Sequence, residues 1–233
     1  MKRLSAGAIW QGLTDSLRRD FALLFAVAAP FTLLVDMALA LFGPPPPQTM
    51  ADFTPERVAL LMLVPTLIGS IAQLAVARLI ARPGETPRRA LGTALSVLPA
   101  YVAAVFLSAF PTGLGLVFLI VPGFYILARL FLATPVAALE GAGPVATLRR
   151  SWDLTAGNAG VLMLFLGLAV LFVLGASLLA GGVAAALASV LTLAGLAPVG
   201  RFAAALVPAV IGTMVSMVSA AAATFTYLEL SES

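Results

Sequence analysis

Four polar side chains stand inside long apolar runs: Asp36, Gln73, Arg129 and Glu140. An ionisable group at membrane depth is costly, so it usually faces a bundle interior, a water-filled path or a partner, and it marks proton, ion or headgroup contacts. Asp36 lies about two helical turns before Gly43, whereas Arg129 lies nearer the opposite end of its own run. The two are therefore not expected to pair directly. Arg129 is expected to snorkel toward Glu140 or a lipid phosphate, and Arg78 to snorkel as well. The densest group of interfacial residue types follows at Arg149, Arg150 and Trp152. Over residues 144–157 the spacing predicts an amphipathic helix that starts at Pro144 and stops at Gly157, with Val145, Leu148 and Trp152 on one face. Trp at headgroup level and Arg toward anionic lipid is the pattern of a helix lying in the interface. Arg129, Glu140, Arg149, Arg150 and Trp152 are thus the candidate lipid- or ligand-binding residues. The alternative is a topological anchor without lipid specificity.

Other chemistry finds no residues. The chain has no Cys and no His, which removes disulfides, thiol nucleophiles, zinc–thiolate sites and histidine relays. Asp15, Asp52, Glu56, Glu85, Glu229 and Glu232 fall in expected loops or tails, so no carboxylate pair is set for acid–base work. Lys2 is the sole lysine, and no Gly-rich phosphate loop ends in Lys. The expectation is a non-enzyme with no catalytic residue, no metal and no cofactor.

The elements that must position these groups are membrane helices. Of 233 residues, 61% are hydrophobic and 10% charged, with mean hydropathy +1.09. That is too little charge to cover a water-exposed globule. The fold class expected is all-α, a single polytopic domain over residues 1–233 with six spans near 21–42, 58–80, 88–110, 114–139, 160–182 and 202–228, and interfacial helices near 4–19 and 144–157. In the first of these Ile9, Leu13 and Leu17 share a face and Trp10 stands at its edge. The first apolar run is too long for a signal-peptide core and reads as a retained helix. Thr54-Pro55-Glu56 and Thr86-Pro87 are helix starts. Pro111-Thr112-Gly113 reads as a turn and Pro122-Gly123 as a kink. No charge occurs between Asp153 and Arg201, and Gly181-Gly182 offers a break. Residues 183–197 are expected to form a short outer or re-entrant helix, a seventh span being the alternative.

Charge placement orients the bundle. Lys2, Arg3, Arg18, Arg19, Arg78, Arg82, Arg88, Arg89, Arg149 and Arg150 fall on one side and Arg57 and Arg201 on the other, which predicts both termini in the cytoplasm. The net charge of +3 then reflects topology rather than nucleic-acid binding. Small residues repeat every four positions at Gly212, Ser216, Ala220 and Thr224, at Ala176, Ala180 and Ala184, and at Ser177, Gly181 and Ala185. Such stripes allow close helix contacts, within the chain, with other membrane proteins or in self-association. Trp10-Gln11-Gly12-Leu13-Thr14 beside Trp152-Asp153-Leu154-Thr155 suggests a repeat of basic stretch plus hairpin, with coincidence the alternative.

The stretch Val121–Asn158 resembles the bacterial membrane domain found alone or fused to glycerophosphoryl diester phosphodiesterase barrels. The matching positions are Pro122, Gly123, Tyr125, Arg129, Pro135, Glu140, Pro144, Leu148, Arg149, Arg150, Ser151, Trp152, Thr155 and Gly157, with Thr147 where Ala is usual. The resemblance implies a multi-span domain of the bacterial inner membrane and no diesterase activity, since the catalytic barrel is absent from this sequence. Residues and resemblance together predict a non-enzymatic inner-membrane protein that binds or organises lipids or partner membrane proteins. The alternative is a small transporter or permease for a solute or lipid.

Overall fold

The computed structural model describes residues 6–45, 49, 52–118 and 120–231. Lys2, Arg3, Leu4, Pro46, Pro47 and Glu232 lie outside them. The described chain is helical, with no strand among the described residues. In order the elements are α1 (Ala6–Ala28), α2 (Leu33–Phe42), α3 (Pro55–Val58), a π-helical turn (Ala59–Leu63), α4 (Val64–Ala81), α5 (Pro87–Phe118), α6 (Ile120–Leu130), α7 (Ala133–Glu140), α8 (Pro144–Leu154), α9 (Ala159–Leu193) and α10 (Ala197–Ser231). Five helical stretches are long and apolar enough to cross a membrane, and the α1/α2 pair, bent by 44°, brings the number to six if it crosses as one span. The protein is therefore an all-α, multi-pass membrane bundle.

Local chemistry sets many of the boundaries. The Thr54 hydroxyl accepts the Arg57 N–H at 3.3 Å and Pro55 opens α3, as the Thr-Pro pair predicts. Thr86 does the same for Arg89 at the start of α5. Pro65 has no N–H to give the ladder, and just before it the Val64 N–H reaches back five residues to the Ala59 carbonyl, producing the π turn. Gly141 caps α7 in the left-handed region at φ +63°. Gly195, at φ +79°, turns α9 into α10.

Several expected boundaries move. α1 runs without interruption from Ala6 to Ala28, joining the stretch expected to lie in the interface to the membrane helix. The interruption comes instead at Pro30. α5 continues through Pro111 to Phe118, so Pro111-Thr112-Gly113 is not a turn. Pro122-Gly123 is not a kink. It opens α6, where a Cβ on Gly123 would stand 2.5 Å from Leu116 of α5, so glycine here permits the close approach of two helices. α9 passes through Gly181-Gly182 as one helix to Leu193, and residues 183–193 are neither re-entrant nor a separate helix. In lipid an unbroken helix satisfies its own backbone, which outweighs the modest cost of two glycines. At 35 residues each, α9 and α10 are about 52 Å long, well beyond a hydrocarbon core of about 30 Å.

α10 is the central helix, packing on α9, α4, α1 and α2. The Ala176–Ala180–Ala184 stripe of α9 turns inward, with Ala180 and Ala184 buried, while Ser177, Gly181 and Ala185 face out. A Cβ at Gly200 would meet the Ala188 carbonyl at 3.0 Å. The tightest core lies toward the end that carries Arg18, Arg78 and Arg82. Leu13, Leu24, Leu74 through Ala77, Ala90, Ala94, Ala137, Ala138, Met217 and Ala220 to Ala222 meet there, all essentially buried.

Candidate functional site

Pro135 decides the geometry of the arginine-rich end. It has no N–H for the Phe131 carbonyl, and the helix breaks at Phe131–Leu132 between α6 and α7. The groups freed by the break are met by hydroxyls of α8. Ser151 Oγ accepts the Leu132 N–H at 3.2 Å and donates to the Arg129 carbonyl at 2.9 Å. The Thr155 hydroxyl stands 3.2 Å from that same carbonyl. Thr147, Ser151 and Thr155, spaced by four, are fully buried and form the inner face of α8. The expected apolar face is the outer one, with Val145 65% and Trp152 37% exposed. The hydroxyls at four-residue spacing opposite a Pro are the signal that sequence reasoning passed over.

Arg129 does not reach Glu140. Its guanidinium carbon lies 4.6 Å from the Trp152 ring centroid and 5.8 Å from that of Tyr125, and the two rings meet edge to face at 5.8 Å. The residue is 7% exposed, and its Nε has no hydrogen-bond partner among the described residues. Cation–π contact with two rings thus stands where the Glu140 carboxylate was expected. Glu140 is bound elsewhere: Arg150 Nε donates to it at 3.1 Å and the Tyr227 hydroxyl at 2.9 Å, joining α7, α8 and α10. The five candidate residues therefore separate into two groups. Arg129, Trp152 and the neighbouring Arg149 form one, and Glu140 with Arg150 the other.

Arg149 is exposed and lines a groove of about 740 Å³ between α5, α6 and α8. Its walls are apolar, from Phe106, Leu107, Phe110, Ile126, Leu130 and Leu148 among others, and Trp152 lies in them. Arg149 is the charged residue of that lining.

Arg78, expected to snorkel, is held by protein partners. It forms a forked pair with Glu85, Nη2 to Oε1 at 2.9 Å and Nε to Oε1 at 3.2 Å, and Nη1 donates to the Ala138 carbonyl at 2.9 Å. Both side chains are under a tenth exposed. Glu85, expected to be a loop carboxylate, thus ties the α4–α5 turn to α7.

The remaining polar groups collect along α10 in the other half. Thr32 donates to Thr213 Oγ1 at 2.9 Å, and Gln73 Nε2 to Ser216 at 3.4 Å. Asp36 Oδ2 lies 3.3 Å from where a Cβ on Gly212 would stand. These contacts fall at positions 212, 213 and 216, and Ala220 and Thr224 further along the stripe are buried, so this part of α10 packs on its neighbours within the chain. The two tryptophan stretches do not fold alike, since α1 is continuous with its membrane helix and α8 is set apart by the turn at Gly157. Searches of protein-family models, of curated proteins and of solved structures find no match to the chain.

Proposed function

We propose that this multi-pass membrane protein is a non-enzymatic inner-membrane bundle that holds phospholipid at its arginine-rich end, with both termini cytoplasmic. One observation carries the reading: an apolar groove of about 740 Å³ has Arg149 as its charged lining residue and Trp152 beside it. Apolar walls suit the tails, an exposed guanidinium suits a phosphate, and Trp suits the headgroup level. The ten-to-two bias of basic residues supports the orientation. The likeness of residues 121–158 to the membrane domain of glycerophosphoryl diester phosphodiesterases belongs to the same proposal. In this proposal Arg149 and Trp152, which line the groove, take the ligand-binding part. Arg129 supports Trp152 from behind, and Glu140 with Arg150 braces α8.

Native mass spectrometry of protein released from its own membranes tests this. A stoichiometric phospholipid is expected on the wild type and on Arg150→Ala, and lost from Arg149→Ala. Equal lipid on Arg149→Ala and wild type would overturn the reading and leave α8 as an anchor. A second reading, a small permease, draws on the polar cavity at the α1/α2 break. Solute flux into proteoliposomes that disappears in Asp36→Asn would favour it.

A further inference from the structure

The break at Pro30 sets Asp36, half-buried, in the first turn of α2. It sits against Gly212, about 22 Å along α10 from Ala197 at 1.5 Å per residue. Among the described residues no donor reaches its carboxylate. Two cavities share Asp36 and Pro65 as wall residues. One, of about 430 Å³, runs to Pro44, Phe53 and Arg57 at the end opposite the arginine-rich loops. The other, of about 390 Å³, is lined by Thr66, Gln73, Tyr101 and Ser216. Beyond it the path is shut by the buried core of Leu24, Leu74 and Met217.

The charges around this carboxylate are accounted for. Arg57 lines the first cavity but is paired with Asp52 at 2.9 Å. No Lys or Arg lines the second, and the Tyr101 hydroxyl there is engaged with Thr134 at 2.8 Å. The nearby hydroxyls of Thr66 and Ser70 donate to carbonyls of their own helix, at 2.6 and 2.7 Å, which leaves oxygen lone pairs toward the cavity. With Arg57 already paired, a half-buried carboxylate midway along the bundle is most readily neutralised from outside the chain. Oxygen ligands without a positive neighbour suit a hard cation.

We infer that Asp36 is the binding group of a small monovalent cation, a proton or Na⁺, reached from the end of the bundle that carries Arg57. The inference gives the permease reading its ligand class and is independent of the lipid groove. A hydrophobic carbodiimide, which reacts with protonated and not with ionised carboxyls, tests it on the whole protein in nanodiscs. In choline buffer near pH 7, a carboxyl in free contact with water is ionised and unreactive. Under those conditions Asp36 is expected to take one adduct, found by peptide mass mapping and absent in Asp36→Asn. If Na⁺ slows the reaction roughly tenfold where choline does not, the occupant is Na⁺. If Na⁺ changes nothing while labelling still falls as pH rises, the occupant is a proton. If Asp36 reacts no faster than Glu56 in the folded wild type, or at a rate indifferent to both Na⁺ and pH, the inference is overturned. Because the assay reads occupancy and not flux, it succeeds or fails separately from transport and from lipid binding.

Discussion

The α6/α7 and α1/α2 breaks begin from the same cause, a proline inside a membrane helix, and end in opposite surroundings. At Pro135 the freed backbone is taken up by Ser151 and Thr155 of α8, and the neighbouring Arg129 is enclosed by two aromatic rings. At Pro30 the chain reconnects through Leu34 N–H to the Ala29 carbonyl, and a Thr32–Thr213 bond ties it to α10. Close by, a carboxylate is left without a donor beside two cavities. A break in lipid is tolerated where neighbours re-satisfy it or where it lines a cavity. The first kind fixes architecture. The second leaves polar groups unspent, which is what a ligand requires.

Three substitutions bear on this contrast. The largest effect is expected from Arg78→Leu in the closed half. It strands the Glu85 carboxylate, 5% exposed, and should cost about 3–5 kcal/mol. Unfolding by denaturing detergent would read this as a large fall in midpoint, and an unchanged midpoint would mean that the pair carries no structure. Ser151→Ala removes one hydroxyl that serves both sides of the α6/α7 break, and about 1–2 kcal/mol should be lost in the same assay. A neutral result would show that Thr155 alone closes the break and would weaken the contrast. Asp36→Asn should leave the midpoint unchanged or slightly raised, because no described donor is lost and an unpaired charge is removed. A loss of stability there as large as that of Ser151→Ala would place Asp36 among the architectural residues and erase the difference between the two breaks.

Individual residues show how far the sequence could be read. Thr54-Pro55 and Thr86-Pro87 announce helix starts through local hydrogen bonds, and both starts are found. Proline is a less legible signal. Pro111 lies within α5, while Pro135 breaks its helix. Proline disrupts any helix by the same local chemistry, and what differs is whether a neighbour can accept the groups it frees. Ser151 and Thr155 supply that acceptance from 19 to 26 residues away. Arg78 shows the same limit, since its partner Glu85 is near in sequence but its third contact, the Ala138 carbonyl, is 60 residues distant.

The sequence by itself determined that the chain crosses a membrane as α-helices, because hydropathy and scarce charge are properties of composition and need no partner. It also picked out Asp36, Gln73, Arg129 and Glu140 as the costly groups. Only the tertiary structure decided their partners: aromatic rings for Arg129, Arg150 and Tyr227 for Glu140, Ser216 for Gln73, and for Asp36 no described donor and a cavity. The cost of burying a charge is intrinsic to the residue. Whether that cost is offset depends on atoms that other helices bring within about 3 Å, and their register is set by packing across the bundle.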